Sequence, residues 1–250
     1  MNLFLSRLSL NSRSRQVISE TTQPYEMHRT LMKAFPDMEK SDPTNVREKL
    51  KVLFRTENSS QKNEVLVYVQ SAVEPDWSFL ERLDGYLASP DGHEYKDIMP
   101  LLLNIKRGQT LSFRLRANPT RRVAADDDHM KGKRVELLHE EQQIDWLNRK
   151  GRMQESGLGG GFEIVFHEMT THDNQTILTP KLKVIPEGKT YNSKRVGDSR
   201  CSTTHFTVLF EGLLEVTDPN AFIRTICRGV GPAKAFGCGL MSVAPVSCRR

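Results

Sequence analysis

The stretch Thr110-Leu-Ser-Phe-Arg-Leu-Arg-Ala117 sets Leu111, Phe113 and Leu115 at every second position, with Ser112, Arg114 and Arg116 between them. Successive side chains of a strand point to opposite faces, so this alternation describes a strand with one apolar and one basic face. Downstream of it, Val135 to Arg149 reads as a helix that stops at Gly151, and Ser156-Gly-Leu-Gly-Gly-Gly161 as a flexible connection. Phe162 to Glu168, Thr176 to Ile185 and Thr204 to Val216 read as strands. Asp218 to Arg228 reads as a helix with Pro219 in its first turn, where the missing N–H costs nothing, and Gly239 to Ala244 as a last short strand.

Upstream, the same order is already present once. Met1 to Leu10 reads as a strand, and Pro24 opens a helix whose stripe Met27, Leu31, Ala34 and Phe35 ends before Pro36. Leu50 to Arg55 and Val65 to Val69 are strands joined by the polar turn at residues 58–63, Pro75 to Leu87 is a helix carrying Phe79, Leu80 and Leu83 inward, and Ile98 to Ile105 is a strand. Each half is therefore βαββαβ. The fold class is α+β: two tandem ferredoxin-like (RRM-like) domains with antiparallel sheets, residues 1–107 and 108–250, the second carrying an extra hairpin.

At 250 residues the chain suits two small cores, and 37% hydrophobic residues suffice to build them. The net charge of +5 is mild, but its cations cluster. Lys106, Arg107, Arg114, Arg116, Arg121, Arg122, Lys131, Lys133 and Arg134 face only Asp126, Asp127 and Asp128. A second run, Lys181, Lys183, Lys189, Lys194, Arg195 and Arg200, faces only Glu187 and Asp198. A phosphate backbone is the natural partner for such stripes, because each contact releases condensed counterions.

Cys201, Cys227, Cys238 and Cys248 form no C-x-x-C pair and no zinc-finger spacing, which fits the reduced cytoplasm and no structural metal. The N-terminal MNLFLSRLSL is broken by Arg7, and no run approaches the ~18 apolar residues of a membrane helix. No membrane partner is expected.

RNA can be cut without a metal when a base takes the proton of the 2′-hydroxyl beside the scissile phosphate and an acid protonates the leaving 5′-oxygen. Tyr25 and His28 lie one helical turn apart on the flank of the apolar stripe, so both can point into one cleft. Arg29 and Lys33 lie farther round, where they could anchor phosphates. The run Gly229-Val-Gly-Pro-Ala-Lys-Ala-Phe-Gly-Cys-Gly239 places Lys234 in a loop whose backbone can approach a phosphate chain closely, although a tight structural turn explains it equally. Asp126-Asp-Asp-His129 reads as an acidic surface loop rather than a metal site, since adjacent residues seldom converge on one ion. His93, His139, His167, His172 and His205 share no spacing that builds a triad on one element.

Tyr25-Glu-Met-His-Arg-Thr-Leu-Met-Lys-Ala-Phe-Pro36, Phe113-Arg-Leu-Arg-Ala-Asn-Pro-Thr120, and Leu213-Leu-Glu-Val-Thr-Asp-Pro219 through Gly231-Pro-Ala-Lys-Ala-Phe-Gly-Cys-Gly-Leu240 together resemble the CasE family, the CRISPR repeat-RNA endonuclease subunit of Cascade. The resemblance implies two ferredoxin-like lobes and metal-independent cleavage of precursor CRISPR RNA at the base of the repeat hairpin. It further implies 2′,3′-cyclic phosphate and 5′-hydroxyl ends, no cofactor, and retention of the mature guide RNA among the other Cascade subunits. Its catalytic histidine maps to His28 and its assisting tyrosine to Tyr25. A basic hairpin that enters the RNA groove corresponds, on charge and position, to Lys189, Lys194, Arg195 and Arg200. Arg29, Lys33, Arg114, Arg116, Arg121, Arg122 and Lys234 are expected to position the stem. A non-catalytic RNA-hairpin-binding module and a structural subunit with basic docking faces are the competing readings. The absence of an R-G-F-x-F-V-x-F pattern weighs against an RRM-type binder.

Overall fold

The computed structural model describes residues 2–36, 49–59, 63–123, 133–152, 159–170, 175–196 and 199–246, with the backbone alone at 191–196 and 199–202. The first unit runs β1 (Phe4–Asn11), α1 (Arg15–Thr22), α2 (Pro24–Met32), β2 (Leu53–Ser59), β3 (Glu64–Ser71), the single turn α3 (Ser78–Glu81) and β4 (His93–Asp97). Its antiparallel strands lie in the order β2-β3-β1-β4. Leu8 and Leu10 of β1, Val65, Val67 and Val69 of β3, and Met27 and Leu31 of α2 close one core, because period 2 on the sheet and period 3.6 on the helix face each other.

After α4 (Met99–Leu102), the second unit contains β5 (Thr110–Ala117), the short ribbon β6 (Thr120–Arg122) and β7 (Arg134–Glu136), and α5 (Glu140–Gly151). There follow β8 (Phe162–Ile164), β9 (Phe166–Thr170), β10 (Thr176–Pro180), β11 (Leu182–Val196), β12 (Ser199–Val216), α6 (Pro219–Arg228) and β13 (Met241–Pro245). Its sheet has the order β11-β12-β5-β13, with β8 beside the end of β12. This repeats the strand arrangement of the first unit. Leu111, Phe113 and Leu115 meet Phe210, Leu214, Trp146 and Phe222 in a second core, which also takes in Leu3, Met99 and Leu102.

Thr110 to Ala117 and the helix after Asp218 stand where the sequence places them, and the Asp218 carboxylate caps that helix by accepting from Ala221 N. Several expectations shift. Ile98 to Ile105 is not a strand: α4 starts there, because Pro100 suits a first helical turn and Asp97 accepts from Met99 N at 2.9 Å. The edge strand is the polar His93–Asp97 instead, which has no apolar alternation to announce it. Pro75 to Leu87 forms one helical turn only, broken before Gly85 (φ +62). Val135 pairs in β7, so the helix begins five residues later at Glu140. Helix α1 carries a weak apolar signal and was not anticipated.

The units are bolted together by Arg55 of β2, 3% exposed. Its guanidinium donates to the carbonyls of Arg114 (3.2 Å) and Leu240 (3.1 Å), to Ser242 Oγ (3.0 Å) and to Glu57 (2.7 Å). Burial lowers its pKa, and the adjacent Glu57 carboxylate opposes that shift. Arg114 reaches Glu57 (2.6 Å) and Glu211 (2.5 Å), and Arg116 grips Glu187 through two nitrogens at 2.6 and 2.7 Å. Removing one member of a buried charged network costs about 3 to 5 kcal/mol, because the rest are left uncompensated. Arg55→Leu is expected to lower unfolding free energy by about 3 kcal/mol in urea titrations; a loss below about 0.5 kcal/mol, the surface-pair range, would show the clamp to be idle.

Candidate functional site

Helix α2 enters at Pro24 and buries Met27, Thr30 and Leu31 against the first sheet. Its rotation is fixed from behind by Glu20, 5% exposed, which accepts from Thr30 Oγ1 (2.7 Å), the Tyr86 hydroxyl (2.5 Å) and Gln16 Nε2 (2.8 Å). Burial and then the Glu20 carboxylate push the Tyr86 phenol up, so it stays a donor. With that face locked, Tyr25 and His28 emerge half-buried on the other flank.

Their surroundings come from other elements. The His28 ring stacks on Phe54 of β2, centroids 6.1 Å apart and planes at 10°. Tyr25 stands 6.4 Å from His28 and 5.9 Å from Phe236 of the glycine-rich loop. Phe236 in turn lies 4.3 Å from His205 of β12. The loop reaches this position because Val230 N donates to Gly239 O (2.9 Å) and Gly239 N to Arg116 O (2.8 Å), which closes it and pins it to β5. Gly237, at φ +79, passes the Phe54 ring so closely that a Cβ would stand 3.3 Å from it. The glycines thus serve close packing of loop on sheet, which was the structural alternative for this run.

Of the expected RNA-contacting cations, Arg29 is exposed and pairs with Glu26 (2.9 Å), while Lys33 is exposed at the C-cap of α2. Lys234 donates Nζ to the Arg228 carbonyl at the end of α6, and desolvation, then Arg228, lowers its pKa. Arg114 and Arg116 are taken up by glutamates at the junction of the two sheets. Arg121 and Arg122 are exposed on β6. Lys189 lies 3.4 Å from Glu136 on the long β11–β12 hairpin. The same hairpin carries Lys194 opposite Cys201 and Arg195 opposite Arg200, but their side chains lie outside the described residues, as do Asp126 to His129 and His172.

His205 is what the sequence reading passed over. No spacing on one element could find it, since Phe236, a residue of the opposite end of its domain, lies between it and Tyr25. Its Nε2 is buried with no hydrogen-bond partner among the described residues. Burial holds its pKa below the usual imidazole value, opposed by Glu136. The arrangement is an imidazole and a phenol on an apolar floor of Phe54 and Phe236, with cations around the rim: suited to moving protons at a phosphate ester rather than to holding a flat cofactor.

A family model described as CRISPR associated protein matches residues 3–245. The CRISPR-associated endoribonuclease Cse3 of Thermus thermophilus is 37% identical over 245 residues, spanning 97% of this chain and 100% of that protein. The CRISPR system Cascade subunit CasE of Escherichia coli K12 is 34% identical over 145 residues, 56% of this chain and 60% of that protein. The solved structure of Thermus thermophilus Cse3 bound to an RNA representing a pre-cleavage complex superposes with a TM-score of 0.69 at 34% identity, covering 98% of this chain and 100% of that one.

Because His205 is held neutral by burial, the unfolded chain binds its proton first as pH falls. The stability it contributes is therefore complete above the unfolded value of about 6.5 and is lost as pH drops below it toward the lower folded value. The melting temperature of the wild type is expected to fall more between pH 7.5 and 5.5 than that of His205→Phe; parallel curves would show that the ring does not titrate against folding.

Proposed function

Because this chain belongs to the CRISPR-associated protein family, we propose that it is a metal-independent endoribonuclease that cuts precursor CRISPR RNA at the base of each repeat hairpin and stays on the mature guide as a Cascade subunit. The observation that carries this reading is the pairing of Tyr25 and His28 in one cleft floored by Phe54 and Phe236.

The chemistry needs only the substrate's own hydroxyl as nucleophile. The 2′-oxygen forms a bond to the adjacent phosphorus while the bond from phosphorus to the 5′-oxygen breaks. One proton leaves the attacking oxygen and one reaches the departing oxygen, and His28 and Tyr25 handle these between them. The ends are a 2′,3′-cyclic phosphate and a 5′-hydroxyl. Phe54 and Phe236 restrict water around the imidazole, which strengthens its interaction with the charged phosphate.

Arg29, Lys33 and Lys234 hold phosphates around the cut, and Arg121 and the hairpin cations Lys189, Lys194, Arg195 and Arg200 grip the stem. A-form RNA hides its base edges in a deep, narrow major groove, so shape and phosphate contacts dominate that grip. Arg114 and Arg116 pair with glutamates, and the Arg116 backbone carbonyl seats the loop that carries Phe236 by accepting from Gly239 N. No helix among the described residues is long and apolar enough to cross a membrane, and cytoplasmic action completes the reading.

His28→Ala is expected to slow hairpin cleavage by about 10² to 10⁴ in single-turnover assays, the usual range for lost acid–base catalysis, while gel-shift affinity stays within about twofold. Cleavage by the wild type is expected to persist in excess EDTA. Loss of binding together with cutting would make His28 structural, and cutting abolished by EDTA would end the metal-independent reading.

A further inference from the structure

The ribbon β6–β7 sets Arg122 directly opposite Arg134. Like charges at facing positions of an antiparallel pair repel and destabilise it. A third cation, Lys150 of α5, closes the same space, its ammonium 5.7 Å from the centre of the Trp146 ring. Burial lowers the pKa of Lys150, and Arg149 and Arg134 push it further in the same direction.

Several cations elsewhere have carboxylate partners: Arg55 and Arg114 meet Glu57, Arg116 meets Glu187 and Lys189 meets Glu136. Among the described residues, no carboxylate pairs with Arg122, Arg134 or Lys150. The three line a cavity of about 370 Å³ together with Trp146, Gly231 and Pro232. That is the lower end of the range that holds small ligands, roughly 300 to 1,000 Å³. Its floor is fixed: Gly231, at φ +81, lies flat on the indole, where a Cβ would meet Trp146 Cζ2 at 2.8 Å.

Position adds to charge. Gly231 and Pro232 begin the loop whose other end, Phe236, packs against Tyr25. Phe236 lies five positions after Gly231, so cavity and cleft lie no more than roughly 18 Å apart along that chain. An RNA stem is too thick to enter such a cavity, whereas one phosphate of an unpaired strand fits between three converging cations.

We propose that Arg122, Arg134 and Lys150 form a phosphate-binding pocket that holds the single-stranded RNA flanking the hairpin, a few nucleotides from the bond that is cut. This rests on the endoribonuclease reading for the identity of the RNA, but not for the existence of an anion site. A phosphate lying between Arg122 and Arg134 relieves their repulsion, so the pocket favours RNA that extends beyond the stem over a bare hairpin.

The test uses the full chain in the His28→Ala background, where RNA stays whole, with Arg134→Gln and Lys150→Gln added together. Dissociation constants are measured across a salt series for a bare hairpin and for hairpins extended on the 5′ or the 3′ side. The flank is expected to tighten binding about tenfold in low salt, on whichever side it reaches the pocket, and the double change is expected to remove that gain. The slope of log affinity against log salt for the flanked RNA should shrink by roughly 0.7 per lost phosphate contact. An undiminished flank gain in the variant, no flank gain in the parent, or an equal loss on the bare hairpin overturns the proposal. Melting with inorganic phosphate decides the anion site even if no hairpin binds, an outcome that would sink the endoribonuclease reading instead. Phosphate should raise the melting temperature of the wild type and not of Arg134→Gln/Lys150→Gln, and an equal rise in both rejects the pocket. Without phosphate the double variant should melt no lower than the wild type, since repulsion has been removed.

Discussion

The contact on which the site depends is the packing of Phe236 against Tyr25. Tyr25 and His28 belong to the first ferredoxin-like unit, while Phe236 and His205 belong to the second, so the cleft exists only where the two units meet. Aromatic contacts of this kind add about 0.5 to 1.5 kcal/mol each beyond area burial, too little to hold two units alone. The buried Arg55 network supplies the rest of the constraint. Its hydrogen bonds have fixed directions, so they set the register of β2 against β5 and β13, and with it the place of Phe54 beneath His28. The glycine-rich loop then has one way to lie, pinned at Gly239 to Arg116 and pressed at Gly237 onto Phe54.

This arrangement divides the basic residues into two classes that charge counting cannot separate. Arg55, Arg114 and Arg116 face glutamates and serve the scaffold. Arg121 and Lys33 are exposed, and Arg122, Arg134 and Lys150 converge without carboxylates among the described residues. The first class shapes the surface and the second carries the field that a polyanion meets. Salt should therefore act on RNA affinity mainly through the exposed cations, since the deeply buried Arg55 pair is shielded from counterions.

Much of this was legible in the sequence, where the physics is local. The alternation at Thr110 to Ala117 and the Pro-led helices at Pro24 and Pro219 depend on neighbours within one element and stand as expected, and the β2–β3 hairpin forms with its first strand moved to Leu53–Ser59. Failures came where the deciding partner is distant. The edge strand His93–Asp97 owes its conformation to pairing with β1, and the helix expected from Val135 gives way because Val135 pairs with Arg121. Tyr25 and His28 were visible as a helical pair. His205 and Phe54 were not, because their relation to that pair exists only after both sheets close. One strand shows the cations Arg114 and Arg116 but not the glutamates of β2, β11 and β12 that meet them.

A cleft that joins an imidazole and a phenol over apolar rings, beside cations, can cut RNA by redirecting the ribose hydroxyl already present in the chain. The central claim is that this hydroxyl is the nucleophile. It is tested most directly with a repeat hairpin carrying a single 2′-deoxy substitution on the nucleotide 5′ of the scissile phosphate. This RNA is expected to bind as tightly as its parent and to remain uncut after complete digestion of the parent. A cut at the same bond in the substituted RNA would mean that water or another group attacks phosphorus, and the role given to Tyr25 and His28 would fail.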